Sequence, residues 1–152
     1  MAYQPRGLYF EEFEIGKCYE SMGRTITEAD VINFAGLSGD FNPLHVDEEF
    51  GKANMFGTRI AHGALGLIIA TGMSNLIGVY EGTALAVMEI TARYTAPLMI
   101  GDTVHLEMTP TEAIPKKGKG ILKVSSKLVN QNGVVVLDSP WTVLMKLKPE
   151  QA

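Results

Sequence analysis

Between Ile60 and Tyr80 the chain reads IAHGALGLIIATGMSNLIGVY, 21 residues without an Asp, Glu, Lys or Arg. A stretch so long and so poor in charge has two outlets: it spans a bilayer, or it is a helix buried inside a soluble domain. His62, Ser74 and Asn75 interrupt it, no second hydrophobic span occurs, and strand-like segments follow at once. The run therefore predicts a buried central helix over 60–80, and no membrane partner is expected. Of the 152 residues, 46% are hydrophobic and 20% charged, which excludes disorder and supports one core. The length predicts a single domain over residues 1–152. Met1–Gly7 lacks the apolar run of a secretory signal. A lone Cys18 excludes an intrachain disulfide framework and a multi-cysteine zinc site, so a cytoplasmic location is expected. The net charge of −4 argues against nucleic acid as a partner.

Around the apolar run the pattern changes character. Lys17–Thr25 reads as a short strand. Thr27-Glu28-Ala29-Asp30 has the form of a capping box, in which a hydroxyl and an acid three residues on satisfy free backbone N–H groups. Val31, Phe34 and Ala35 then share a helical face, with Gly36 and Gly39 ending the helix, and a second short helix starts at Asp47. After the long helix the period becomes two. In Thr83–Thr95 the even positions Ala84, Ala86, Met88, Ile90, Ala92 and Tyr94 predict one packed face. Val104, Leu106 and Met108 form the apolar face of another strand, and Leu122, Val124 and Leu128 that of a third. Asn132-Gly133 signals a hairpin turn into Val134–Leu137, and Pro140 marks an edge or bulge before Trp141–Leu147. A strand, short helices, one long buried helix and then four antiparallel strands make an α+β chain, its sheet curling around the apolar helix.

Chemistry-bearing residues crowd into Phe34–His45, FAGLSGDFNPLH. Gly39 and Pro43 exclude one straight helix through both Asp40 and His45. Asn42 has the character of an N-cap and Pro43 of a first helical residue, which places His45 in a first turn with Asp40 just before it. A carboxylate and an imidazole that reach one water can polarise it and shuttle its proton. Gly-Asp and Asn-Pro are equally ordinary turn chemistry, so residue types alone leave both readings open.

This string resembles the hydratase-2 motif of the MaoC-like, (R)-specific enoyl-CoA hydratases. That motif has an aromatic residue, a Ser or Thr, Gly-Asp, one further residue, Asn-Pro, an aliphatic residue and His. Phe34, Ser38, Gly39, Asp40, Asn42, Pro43, Leu44 and His45 match it, and Ala53 fits the small residue that closes it. Phe56–Gly63 is similar to the family's lead-in to its central helix, and Arg93-Tyr94, Pro97 and Gly101-Asp102-Thr103 to a later strand and turn. The resemblance implies a hot-dog fold, commonly a homodimer or higher homo-oligomer, and addition of water across an α,β-unsaturated acyl-CoA. It departs at Ala64, where many relatives carry Met, which leaves the acyl length open.

The family reading gives the residues roles. Asp40 and His45 form a coupled acid–base pair on one water. The backbone N–H of Gly63, at the positive end of the apolar helix, is the expected oxyanion donor. Asn42 orients the pair or simply caps; Ser38 is expected to bond backbone; His62 caps the central helix or lies near the thioester. No cofactor is expected, and no metal: His45-Val46-Asp47 lacks the i, i+4 spacing of a helical zinc pair. His105 reads as a surface residue. Lys116, Lys117 and Lys119 form a basic turn that either meets CoA phosphates or is a solvated hairpin tip. Met55, Met73 and Met88 are candidates for a tunnel lining or for core filling. Acyl carrier protein thioesters remain open as substrates. A thioesterase on the same fold and a non-catalytic acyl-CoA binding subunit are the alternative functions.

Overall fold

The computed structural model describes Gln4 and residues 6–149; four of the seven residues of Met1–Gly7, read for a signal, lie outside the described residues. After a 3-10 turn at Phe10–Glu12, two short strands, β1 (Tyr19–Glu20) and β2 (Arg24–Thr25), replace the one expected over Lys17–Thr25. Both pair antiparallel with β5 (Thr103–Lys116), so they are pieces of one edge. Helix α1 (Glu28–Ser38) starts on the expected capping box: Thr27 Oγ1 accepts from Asp30 N at 3.3 Å, and an Asp30 carboxylate oxygen accepts from Thr27 N at 2.8 Å. It runs through Gly36 and stops at Gly39, whose φ of 78° is the left-handed conformation that closes a helix.

Two short helices follow, α2 (Pro43–Val46) and α3 (Glu48–Ala53), capped by Asn42 and Asp47. The long apolar helix, α4, covers Gly63–Ile77, not 60–80. Its first three expected residues are extended because Ile60 bridges Met99 and Ala61 N donates to Leu98 O at 2.8 Å. Gly78, at φ 87°, ends it. Among the described residues no helix is long and apolar enough to cross a membrane.

Six strands follow α4, where four were expected, because two long strands are each interrupted once. Thr83–Thr95 splits into β3 (Ala84–Ile90) and β4 (Arg93–Tyr94); the last stretch splits into β7 (Val135–Asp138) and β8 (Trp141–Met145) at Ser139-Pro140. The breaks lie side by side, joined by Thr91 N to Pro140 O at 3.1 Å, and form a crease. On one side β3 pairs β8; on the other β4 pairs β7; β6 (Lys119–Asn130) runs unbroken beside both β7 and β8, and β5 lies on its other edge. All pairings are antiparallel and the sheet does not close on itself.

The core sits where the sheet meets α4. Val104, Leu106, Met108, Leu122, Val124 and Leu128 are buried with Leu65, Ile69, Ala70 and Met73. Each of these Val, Leu, Ile and Met side chains contributes about 1.5–3 kcal/mol by leaving water. The helix turns the face with Leu65, Ile69 and Met73 to the core and leaves Ile68 50% and Leu76 72% exposed on its other side. The even face expected over Thr83–Thr95 is packed only in part: Ala84, Ile90 and Ala92 are half-buried against the core, whereas Ala86, Met88 and Tyr94 are exposed. Alternation marks a surface that wants covering, and in the isolated chain nothing covers the exposed part.

Candidate active site

The turn after α1 is assembled from its own polar groups. Ser38 Oγ donates to Phe34 O at 2.7 Å and accepts from Asp40 N at 3.1 Å, so its hydroxyl is occupied with backbone. Asp40 Oδ1 accepts from Asn42 N at 3.2 Å, and Asn42 Oδ1 accepts from Leu44 N at 3.0 Å. This chain of short-range bonds turns the backbone from α1 into α2 and leaves Asp40 exposed while His45 goes inside. His45 Nδ1 lies 2.8 Å from Ile60 O. A carbonyl only accepts, so Nδ1 carries the proton and the Nε2 lone pair of neutral His45 is left available as a base.

His62 completes the group. It is 2% exposed, and its Nε2 lies 2.9 Å from the backbone oxygen of Asp40. By the same logic Nε2 carries the proton and Nδ1 is bare; that atom is buried without a partner. The His62 side chain makes no cap bond to α4, so the expected capping role falls away. Its ring stacks on His45 instead, centroids 3.8 Å apart and 27° between planes. An Asp40 oxygen and one nitrogen each of His45 and His62 lie within 4.8 Å of one another. Such a trio invites comparison with a metal site. In a near-parallel stack, however, the in-plane lone pairs run side by side, whereas a shared ion about 2.0–2.1 Å from both nitrogens needs them to converge.

Gly63 opens α4, and its backbone N–H has no hydrogen-bond partner among the described residues. Glycine is required by the close approach of Tyr94: a Cβ would stand 2.8 Å from Tyr94 Cε1. Gly63, Ala64, His45 and Tyr94 line one cavity of about 610 Å³ that continues to Leu128 and Leu137 on the sheet. Asp40 lies beyond its rim. Positions 40, 42, 45, 62 and 63 are thus neighbours, while the remaining candidates disperse. His105 is half-buried between Glu20 and Glu107. Lys116, Lys117 and Lys119 are exposed at the β5–β6 hairpin tip, and the eight residue steps of extended strand from Gly120 to Leu128 put that tip roughly 27 Å from the cavity. Met73 is core, but Met55 and Met88 are 90% and 58% exposed and are not among the residues that line this cavity.

Arg59 anchors the lead-in to α4. It bonds Glu28 of α1 at 2.6 Å and Glu48 of α3 at 2.7 Å; the Arg59 hydrogen bond holds the Glu48 carboxyl below its usual range, and the two acids raise Arg59 further. Three groups were not singled out for the site from sequence: the Ile60 carbonyl that sets the His45 tautomer, the Tyr94 ring against Gly63, and the Phe34 ring 4.9 Å from His62. Tyr94 and Phe34 stood in the motif residues; a backbone carbonyl leaves no trace in residue types.

A carboxylate, an imidazole and an unbonded N–H at a helix N-terminus thus stand close together at the edge of an apolar cavity. The MaoC-like domain model matches residues 12–132, and the chain belongs to that family. It is 35% identical over 147 residues to the 3-hydroxybutyryl-CoA dehydratase of Methylorubrum extorquens, covering 95% of this chain and 88% of that one. It is 35% identical over 138 residues to the (R)-specific enoyl-CoA hydratase of Rhodospirillum rubrum, covering 90% and 91%. A Mycobacterium tuberculosis protein described as a double hotdog superposes with a TM-score of 0.84 at 20% identity, covering 97% of this chain and 46% of that one. The fold is a hot-dog: a curled, open antiparallel sheet on a central helix.

Proposed function

We propose that the chain is a hydro-lyase that adds water to a trans-2-enoyl-CoA to give the (R)-3-hydroxyacyl-CoA, or runs the reverse dehydration, as one domain spanning residues 1–152. The observation that carries the reading is that a ring nitrogen of His45 and an Asp40 carboxylate oxygen lie within 4.8 Å of each other, and that His45 lines a cavity whose wall includes Gly63 with its unbonded N–H. Family membership and the two relatives support the reaction class, and the name of the Rhodospirillum rubrum relative supports the R configuration.

The chemistry follows from charge. Water attacks the β-carbon only if electrons can move through the double bond onto the thioester oxygen. Asp40 and His45 bind one water and take its proton as its oxygen bonds the β-carbon. The enolate oxygen receives the Gly63 N–H, a donor of the kind worth about 3–4 kcal/mol in acyl-transfer sites. The pair then returns a proton to the α-carbon, so atoms balance and no cofactor or metal is needed. Asn42 holds the turn that aims Asp40. Ala64, small and on the cavity wall, leaves room for the acyl chain.

The unpaired edge of β3, with Leu85, Val87 and Met88 about half exposed, is proposed as the seam of a homodimer, since an apolar edge strand invites a second strand. The proposal includes a cytoplasmic location, where the exposed Cys18 stays reduced.

The test is turnover of crotonyl-CoA and longer or branched enoyl-CoAs by purified protein, with product configuration determined. Loss of enoyl absorbance without thiol release, giving the R product, is the expected result. Thiol release from saturated acyl-CoA would make the chain a thioesterase; tight acyl-CoA binding without turnover would make it a binding subunit. Parallel assays with acyl carrier protein thioesters establish the carrier.

A further inference from the structure

We infer that His62 is a positioning residue that holds both members of the Asp40/His45 pair, as the middle ring of a column Phe34–His62–His45. The inference rests on the proposed roles of Asp40 and His45 and adds a residue to them. Its support is that one buried side chain touches each neighbour by a different interaction. The His62 Nε2–H donates to the backbone oxygen of Asp40, across 22 residues of sequence, and so pins the turn that carries the carboxylate. The ring lies over His45 at 3.8 Å, and Phe34 of α1 backs it at 4.9 Å with 60° between planes. His62 is followed directly by Gly63, so the segment that supplies the oxyanion donor is the segment that clamps the acid–base pair.

The orphaned Nδ1 strengthens this. A buried acceptor without a partner is unfavourable, and an apolar ring of similar shape would avoid it. Leucine or phenylalanine would fill the space; only a flat ring with an N–H can both stack on His45 and donate to the Asp40 carbonyl. Asp40 is exposed and its turn is held by bonds between neighbours in sequence, and the His62 bond adds a long-range tie between that turn and the ring stacked on His45. Displacements of about 1 Å in such a pair cost on the order of 100-fold in rate.

The test uses three full-length variants. His62→Ala removes ring and donor, His62→Phe keeps the ring without the donor, and His62→Gln keeps a donor without the ring. The expected result is a fall in kcat of about 30–100-fold for His62→Ala with KM for crotonyl-CoA within about twofold of wild type. His62→Phe and His62→Gln should each recover part of that loss. Crystal structures of the folded variants supply a readout independent of turnover: in His62→Phe the Asp40 oxygen and the His45 nitrogen should separate beyond 4.8 Å. The inference is overturned if folded His62→Phe keeps that spacing, if all three variants turn over like wild type, or if KM alone rises, which would make His62 a substrate contact. Absence of any hydration by the wild-type protein would instead overturn the functional reading, and the spacing measurement would still decide the role of His62.

Discussion

Replacing Gly63 by Ala separates stability from catalysis. The added Cβ would stand 2.8 Å from Tyr94 Cε1 and 3.0 Å from its Cδ1 and Cζ, about 0.6 Å short of the ordinary contact of 3.4 Å. At the first position of a helix, Ala is otherwise favoured over Gly, by up to about 1 kcal/mol in a helix interior. The melting temperature should therefore move little. The clash resolves by moving the Tyr94 ring or the first turn of α4, and the latter carries the N–H proposed to receive the enolate. Losing one such donor costs about 100- to 1,000-fold, so a displaced donor should lower kcat by about 50- to 100-fold. The assay is crotonyl-CoA hydration by Gly63→Ala, Tyr94→Ala and the double variant, treated as a thermodynamic cycle. Removing the Tyr94 ring removes the clash, so the double variant should be faster than Gly63→Ala alone. Wild-type kcat in Gly63→Ala would refute the reasoning, since it would mean that the half-exposed Tyr94 ring swings away freely.

Asp40→Asn preserves the acceptor for Asn42 N, and His45→Ala leaves α2 with its Asn42 cap, so both should fold and both should lose at least about 100-fold in crotonyl-CoA hydration, measured by enoyl absorbance. Arg59→Met should lower the melting temperature at pH 7. Because the Glu48 carboxyl is held below its unfolded value of 4.5, that contribution is full above 4.5 and is lost as pH falls through the lower folded value; the melting difference between Arg59→Met and wild type should shrink below pH 4.5 in a pH series, and a constant difference would count against it. Val87→Lys on the β3 edge should shift the protein from dimer to monomer in light scattering, while a dimer that persists would place the seam elsewhere.

Much of this site could be read from residue types because its parts are local. Thr27 with Asp30, Asn42 with Pro43 and Asp47 each act within three residues, and the structure uses them as caps. Contacts made by folding were out of reach. Nothing in FAGLSGDFNPLH says that a ring 22 residues downstream from Asp40 will bond its carbonyl, or that Ile60 will fix the proton on His45. The helix boundary at Gly63 was misplaced for a related reason: hydropathy sees the apolar Ile60-Ala61 but not the bridge to Met99 and the bond to Leu98 that draw it into extended backbone. The alternation over Thr83–Thr95 points to one packed face, and only Ala84, Ile90 and Ala92 of that face meet the core, because burial depends on what lies opposite.

The crease at Thr91 and Pro140 divides labour along the sheet. Above it, β3 and β8 carry the edge proposed for self-association; below it, β4, β7 and Leu128 border the cavity proposed for the acyl chain. On that reading, substitutions that resize the cavity leave assembly alone, so chain-length preference and subunit pairing can vary separately.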